Sequence, residues 1–322
     1  MIFINTIFID LLILLSTVFS QEDELVGQII QASNQQIMSK EVLIEKMLES
    51  DVVYLGEKHD NANHHEIQID IINSLIEKGI KPIIGFEFFY QHQTSELIKF
   101  VKGIKSPFHH GEENPEKEEN KLRNKLGWQN RSDEDWKFYF NFLKQAKKQK
   151  LDVFGADIPS GLISRISRGG LESLTPIELK QLSPTNFHDP IYQKLMVEKF
   201  KDSHCGWVPE DNFEKLYQTW VARNDAMANS ISAMLVSKGE NLVIMIVGGG
   251  HVEHNMGIFE RVSHLNPNIK QLNLGLTEIA IESTPLIDRI EKPVIGNLNF
   301  ESGHEYYWFT PRADYDDPCK GF

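Results

Sequence analysis

Only two of the 322 residues are cysteine, Cys205 and Cys319, which excludes a disulfide-dense scaffold and a four-thiolate zinc site. One disulfide and two free thiols both remain open. Lysine and arginine are outnumbered, 33 against 46 acidic residues, for a formal net charge of −13. Without clustered cations the chain is a poor partner for nucleic acid or an anionic membrane surface. Past the N-terminus the longest apolar run, "LVIMIV" at 242–247, falls far short of the roughly 20 residues a bilayer requires. Several catalytic signatures are missing too. The segment "HEIQI" at 65–69 begins like a zinc helix but puts Ile69 where the second histidine ligand must stand. There is no Gly-x-Ser-x-Gly elbow, phosphate loop or haem-attaching C-x-x-C-H, and "GGGH" has the wrong spacing for a dinucleotide turn.

What is present begins with "MIFINTIFIDLLILLSTVFS", apolar over residues 1–20 and followed by the polar "QEDE". It reads as a secretory leader cut near Ser20, which predicts an exported protein. The absence of a lysine or arginine at its start, and Asp10 within the run, depart from the usual pattern. A retained anchor would place the Asp10 charge inside lipid. No cysteine lies near the cut, so a lipid-modified N-terminus is excluded.

Four apolar runs recur, "DVVYLG" at 51–56, "PIIGFEFF" at 82–89, "LDVFGAD" at 151–157 and "LVIMIVGGG" at 242–250, each followed by a turn and a helical pattern. Continuously apolar strands alternating with helices predict a three-layer α/β fold around a parallel sheet. "IKQLNLG" is a further strand candidate, and "EYYWFT" at 305–310 reads as an aromatic edge strand. The long gaps hold helical patterns at 133–149 and 210–239, giving one domain over 21–322 with an inserted helical subdomain from segments at about 90–150 and 160–238. The charge-mixed stretch 103–127 reads as a mobile loop.

Ligands of parallel sheets bind beyond the carboxyl ends of the strands. There the chain places Glu57 and His59 after the first run, Glu87 in the second, Asp157 at the end of the third and His251 after the fourth. Two Gly-x-x-His turns, at Gly56 and Gly248, leave the sheet sharply. A buried carboxylate is costly unless paired, and for Glu57 and Glu87 a structural ion pair to Arg223 is the plain alternative to a functional role. His64 and His65 are adjacent on a helix, so one is expected to face away, with His64 solvated. His109, His110 and His188 read as surface residues, and Tyr54 as core.

The motifs "GEKHDNANHHEIQ", "GFEFF", "GADIP", "HCGW", "ARNDAMA" and "VGGGHVEHNMGI", in that order, resemble the ChaN-like family of the haem-binding uptake and Tiki superfamily, to which erythromycin esterases are related. The resemblance runs from about Val52 to His264. It implies a parallel α/β core with an inserted helical subdomain, and a pocket containing Gly56, Glu57, His59, Asp60, His65, Gln68, Glu87, Arg223, Gly248 and His251. The chain departs from lipoprotein members in having no lipobox cysteine, and Asn224 stands between Arg223 and Asp225. The resemblance implies haem as ligand, met by imidazoles among His59, His65, His204 and His251, with an iron-uptake receptor and a homodimer as partners. The residues alone allow a second reading, a hydrolase of esterase or peptidase type. In it Glu57, His59, Glu87 and His251 hold zinc or manganese, or His59 acts as general base, oriented by Glu57 or Glu87, while Arg223 stabilises an oxyanion.

Overall fold

Strand-forming sequence and helix stripes assemble as the alternation predicts. The computed structural model describes residues 23–104 and 114–320, apart from 204, 206, 207, 238, 240, 283, 284, 291–293, 296, 297, 301 and 316–318. The segment read as a leader, and His109, His110 and His204, lie outside the described residues.

The strands in chain order are β1 (Ile29–Gln31), β2 (Gln36–Met38), β3 (Val52–Glu57), β4 (Ile83–Tyr90), β5 (Asp152–Asp157), β6 (Val243–Gly248), β7 (Gln271–Glu278), β8 (Val294–Ile295), β9 (Leu298–Asn299) and β10 (Tyr306–Thr310). The helices are α1 (Lys40–Leu48), α2 (Ala62–Glu77), α3 (Thr94–Val101), α4 (Pro115–Lys125), α5 (Asp133–Gln149), α6 (Ser160–Gly169), α7 (Pro176–Leu179), α8 (Pro190–Ser203), α9 (Phe213–Ser237), α10 (Ile258–Leu265) and α11 (Leu286–Arg289). Eight strands form one sheet in the order β2-β1-β10-β7-β3-β6-β4-β5, and β8 with β9 makes a separate hairpin. The pairs from β10 through β5 are parallel; β1 joins β10 and β2 in antiparallel sense.

Side chains alternate across a strand, and here the alternation decides the site. Val53, Leu55, Ile84, Phe86, Ile244 and Ile246 face a core shared with α1, α2, α3 and α5. Val52, Tyr54, Ile83, Val243, Met245 and Val247 face the opposite core, built with α9 and α10. Each fully buried aliphatic or aromatic side chain contributes on the order of 1.5–3 kcal/mol. The two helical insertions therefore lie on opposite faces of the sheet, α3–α5 on one and α9 on the other. Glu57 continues the face of Val53 and Leu55, toward α2 and α5. Glu87 continues the face of Ile83, toward α9.

Two expectations require correction. The aromatic strand β10 is interior, because the N-terminal hairpin β1–β2 pairs with its outer side. Part of the stretch read as a mobile loop is helical: Asn114 accepts from Glu116 N–H at its start, Pro115 occupies the first turn and Arg123 and Lys125 the last, while Leu122 is buried. Residues 105–113 lie outside the described residues. Cys205 and Cys319 form a disulfide, which resolves the alternative left open by the sequence. No helix among the described residues is long and apolar enough to cross a membrane.

Candidate functional site

An open cavity of about 460 Å³ lies beyond the carboxyl ends of β3, β4 and β6. Glu57, His59, Glu87, Arg223 and His251 all line it, with Lys58, Trp220, Leu276, Glu278 and His304 around them.

Glu57 is buried and accepts hydrogen bonds from Tyr139 Oη at 2.8 Å and Gln68 Nε2 at 2.7 Å. Its Oε1 lies 3.2 Å from His59 Nδ1. Burial alone would raise its carboxyl; the His59 hydrogen bond, the neighbouring imidazoles and Tyr139 outweigh it and hold the group below its ordinary value. An ionised Glu57 can only accept, so His59 donates through Nδ1; its Nε2 is bare only in the neutral ring. The His59 side chain is 47% exposed, and its ring stands edge-on to Phe88. Burial pulls the His59 pKa down, but Glu57 and Glu87 together leave it raised. Gly248 makes room for this ring, since a β-carbon there would lie 2.7 Å from His59 Cε1.

Glu87 is fixed by two donors, with His251 alongside. Arg223 Nη2 donates to Oε1 at 2.6 Å, Gly248 N–H donates to Oε2 at 2.7 Å, and His251 Nε2 lies 3.4 Å from Oε1. Arg223 also donates through Nε to Asp157 Oδ2 at 2.8 Å. Burial works against ionisation of Glu87, but His251 and Arg223 outweigh it and keep the carboxyl well below its ordinary value. Asp157 goes the other way, raised to about 6 because burial exceeds the pull of Arg223. The ion pair weighed for Arg223 thus exists on Glu87 and Asp157 and does not reach Glu57.

His251 is buried and stacked on Trp220 at 3.8 Å. Its Nδ1 meets Asn224 Oδ1 at 2.6 Å, and Asn224 Nδ2 donates to Tyr192 Oη. The amide oxygen must accept, so Nδ1 carries the proton. Burial lowers the His251 pKa despite Glu87.

The structure also brings in a residue that the sequence reading passed over. His304, buried, meets Asn273 Oδ1 through Nδ1 at 2.8 Å, and Asn273 Nδ2 donates to Val252 O and Asn255 Oδ1. The tautomer is therefore set as in His59 and His251. Burial pushes its pKa down to about 4, so Nε2 is a neutral lone pair at the pocket. Its ring occupies the space where a side chain at Gly275 would stand; a β-carbon there would lie 2.1 Å from His304 Cδ2. The detectable signal was in β7, where Asn273 and Gly275 share one face while Leu272, Leu274 and Leu276 share the other.

Other expectations change. His64 is fully buried, with Nδ1 accepting from Lys58 N–H at 2.9 Å and Nε2 on Thr310 Oγ1 at 2.9 Å. Desolvation lowers its pKa to about 4. His65 is buried beside it, because the stripe His64, His65, Gln68, Ile71, Ile72 and Leu75 all faces the sheet. His65 Nε2 donates to the His59 carbonyl at 2.9 Å and its ring stacks on Phe138, which places it behind Glu57 and out of the cavity lining. Asp60 is exposed and pairs with Lys58 at 3.5 Å. His188 is exposed and Tyr54 is core, as expected.

The zinc or manganese expectation for Glu57, His59, Glu87 and His251 is not supported. The carboxylate oxygens are already taken by Tyr139, Gln68, His59, Arg223 and the Gly248 amide, and among the described residues no group of three or more His, Cys, Asp and Glu side chains is placed to hold an ion.

A family described as "Haem-binding uptake, Tiki superfamily, ChaN" matches residues 43–262. The chain belongs to this family. Its fold is similar to a solved structure titled "Cofacial heme binding to ChaN of Campylobacter jejuni", with a TM-score of 0.60, 21% identity, and coverage of 87% of this chain and 95% of that one. An erythromycin esterase mutant in its open conformation follows at a TM-score of 0.47, with 14% identity over 92% of this chain and 99% of the other. The type III effector HopBA1 gives 0.40, with 13% identity over 84% and 91%. No curated protein sequence matches the chain. His304 lies beyond the segment that defines the ChaN family here.

Proposed function

We propose that this ChaN-family chain binds haem in the cavity at the strand ends, as an exported protein that handles iron in uptake. Family membership supports the ligand class, and the N-terminal apolar stretch supports export. The observation that carries the site is His59: a half-exposed imidazole whose Nδ1 is held by a buried carboxylate, which leaves Nε2 as the nitrogen that can meet a metal once the ring is neutral. This carboxylate–imidazole arrangement is how proteins orient a histidine toward a metal and raise its basicity. Haem supplies the iron that such a nitrogen would meet.

The residues present fit an amphipathic macrocycle with a metal centre. Trp220 and Leu276 give the cavity apolar wall, while Lys58 at its rim is already paired with Asp60, Glu278 and Asp314. The two carboxylates that make a haem pocket look improbable in sequence are orienters: Glu57 aims His59, and Glu87 ties Arg223, His251 and the Gly248 turn together. Neither brings an unsatisfied charge to the ligand. Their commitment also weakens the hydrolase reading, since Arg223 is already held by two carboxylates and is not poised for an oxyanion.

Haem titration of the chain without residues 1–20, followed by absorbance, tests the reading beside His59→Ala and His251→Ala. A saturable Soret shift that His59→Ala abolishes is expected, with His251→Ala weakening it through loss of the Trp220 stack and the Glu87 contact. A shift unchanged in His59→Ala would remove the site from the account.

A further inference from the structure

Helix α9 has a second cavity on its other side. Trp220 and Arg223 face the strand-end pocket, whereas Tyr217, Gln218, Val221, Ala222 and Asp225 line a separate cavity of about 220 Å³. The spacing of the second group, i, i+1, i+4, i+5 and i+8, is one helical face. Leu171, Leu182, Pro184 and Phe187 close it from the opposite side. The volume is below the roughly 300–1,000 Å³ of drug-sized sites and suits only a small ligand, in a lining that is mostly apolar with a few polar groups, as such sites are.

Those polar groups are informative. Tyr217 is 5% exposed, yet its hydroxyl has no hydrogen-bond partner among the described residues, and burial pushes its pKa up to about 12. The hydroxyl is not sealed from solvent, so it offers the cavity one hydrogen-bonding group that water or a ligand can meet. Asp225 at the floor is neutralised from behind: Arg261 Nε and Thr185 Oγ1 both donate to Oδ1 at 2.6 Å. Glu214, exposed at the rim, has only neutral donors, Gln193 Nε2 at 3.1 Å and Gln218 Nε2 at 3.3 Å, and no ion pair among the described residues. No lysine or arginine lines the cavity. An aromatic and aliphatic chamber with one uncompensated carboxylate at its mouth favours a cation with an apolar body.

We propose that this cavity is a second ligand site, independent of the strand-end pocket, which takes a small organic ammonium ion carried on an aromatic or alkyl group. The apolar body enters between Phe187, Val221 and Leu182, and the ammonium group stays at the mouth, near Glu214.

Isothermal titration of 2-phenylethylammonium into the full chain, with 3-phenylpropionate as the anionic control, tests this. The cation is expected to saturate one site per chain and the anion to give no binding. Val221→Trp, which fills the chamber, should weaken the cation at least about tenfold, and Glu214→Lys about fivefold, a size expected for one exposed charge contact. Glu214→Lys changes only an exposed side chain, so the test stands even where Val221→Trp impairs folding. Equal binding of cation and anion, no saturable binding of the cation, or an affinity unchanged by Glu214→Lys would overturn the proposal. Haem titration of Glu214→Lys should match the parent chain, which keeps the two sites separate.

Discussion

The neutral state of His304 has a calculable cost at acid pH. Its pKa is pushed from 6.5 to about 4 by burial, so the folded chain refuses a proton that the unfolded chain accepts. The stability it contributes is complete above pH 6.5 and is lost as pH falls from there toward 4. At 1.36 kcal/mol per pH unit the loss from this one group is roughly 2 kcal/mol at pH 5 and roughly 3 kcal/mol at pH 4. Total stability is a poor reporter, because Asp157 and Glu260, raised to about 6 and about 7, take up protons in the folded state first and act with the opposite sign. The difference between the parent chain and His304→Asn isolates the term. Asparagine can still donate to Asn273 Oδ1 but does not titrate. Urea unfolding followed by circular dichroism at pH 7.5 and pH 5 should show the variant destabilised at pH 7.5 by lost packing, and its deficit reduced by about 2 kcal/mol at pH 5. A deficit equal at the two pH values, with unchanged m-values, would refute the placement of a buried neutral imidazole at this pocket.

Three further outcomes follow from the site. Glu57→Gln should leave the pocket intact but loosen His59, weakening haem about 10–100-fold in the Soret titration. Arg223→Met strands Glu87 and Asp157 as uncompensated buried carboxylates and should cost about 3–5 kcal/mol in urea unfolding, more than any exposed arginine change such as Arg165→Met. Gly275→Ala forces a methyl group into the His304 ring, so about 1–3 kcal/mol of destabilisation is expected, relieved in the double variant with His304→Gly.

Much of the sheet was legible because its central strands are buried on both faces and read as unbroken apolar runs; β3, β4, β5 and β6 lie within a residue or two of the expected positions. The order of the strands was not legible. β10 read as an edge from its aromatic side chains, but an edge is defined by a neighbour, and β1 and β2 are three residues each, too short to show a period. Helix α4 is mostly exposed and was hidden by its charge, although Asn114-Pro115 is a start signal. At the site, the strand-end rule located Glu57, His59, Glu87 and His251, because chemistry at a strand terminus is local in sequence. His304 was hidden because it reaches the pocket across the sheet face from a segment far along the chain, and the space that receives it is recorded at Gly275. His65 misled because histidines beside the pocket motif look alike until the helix phase shows which stand behind it.

The Cys205–Cys319 bond, whose ends are 114 positions apart in sequence, divides the candidate site into two covalent classes. Arg223, His251 and His304 sit inside a closed ring of chain, while Glu57, His59 and Glu87 sit on the open part before it. A protease that cuts once within the ring, for example between β6 and β10, therefore releases nothing until the bond is reduced. The same cut before Cys205 separates the fragments under denaturing conditions at once. Half of the pocket wall is thus tethered against a single nick and the other half is not, a difference that paired reducing and non-reducing gels would display directly.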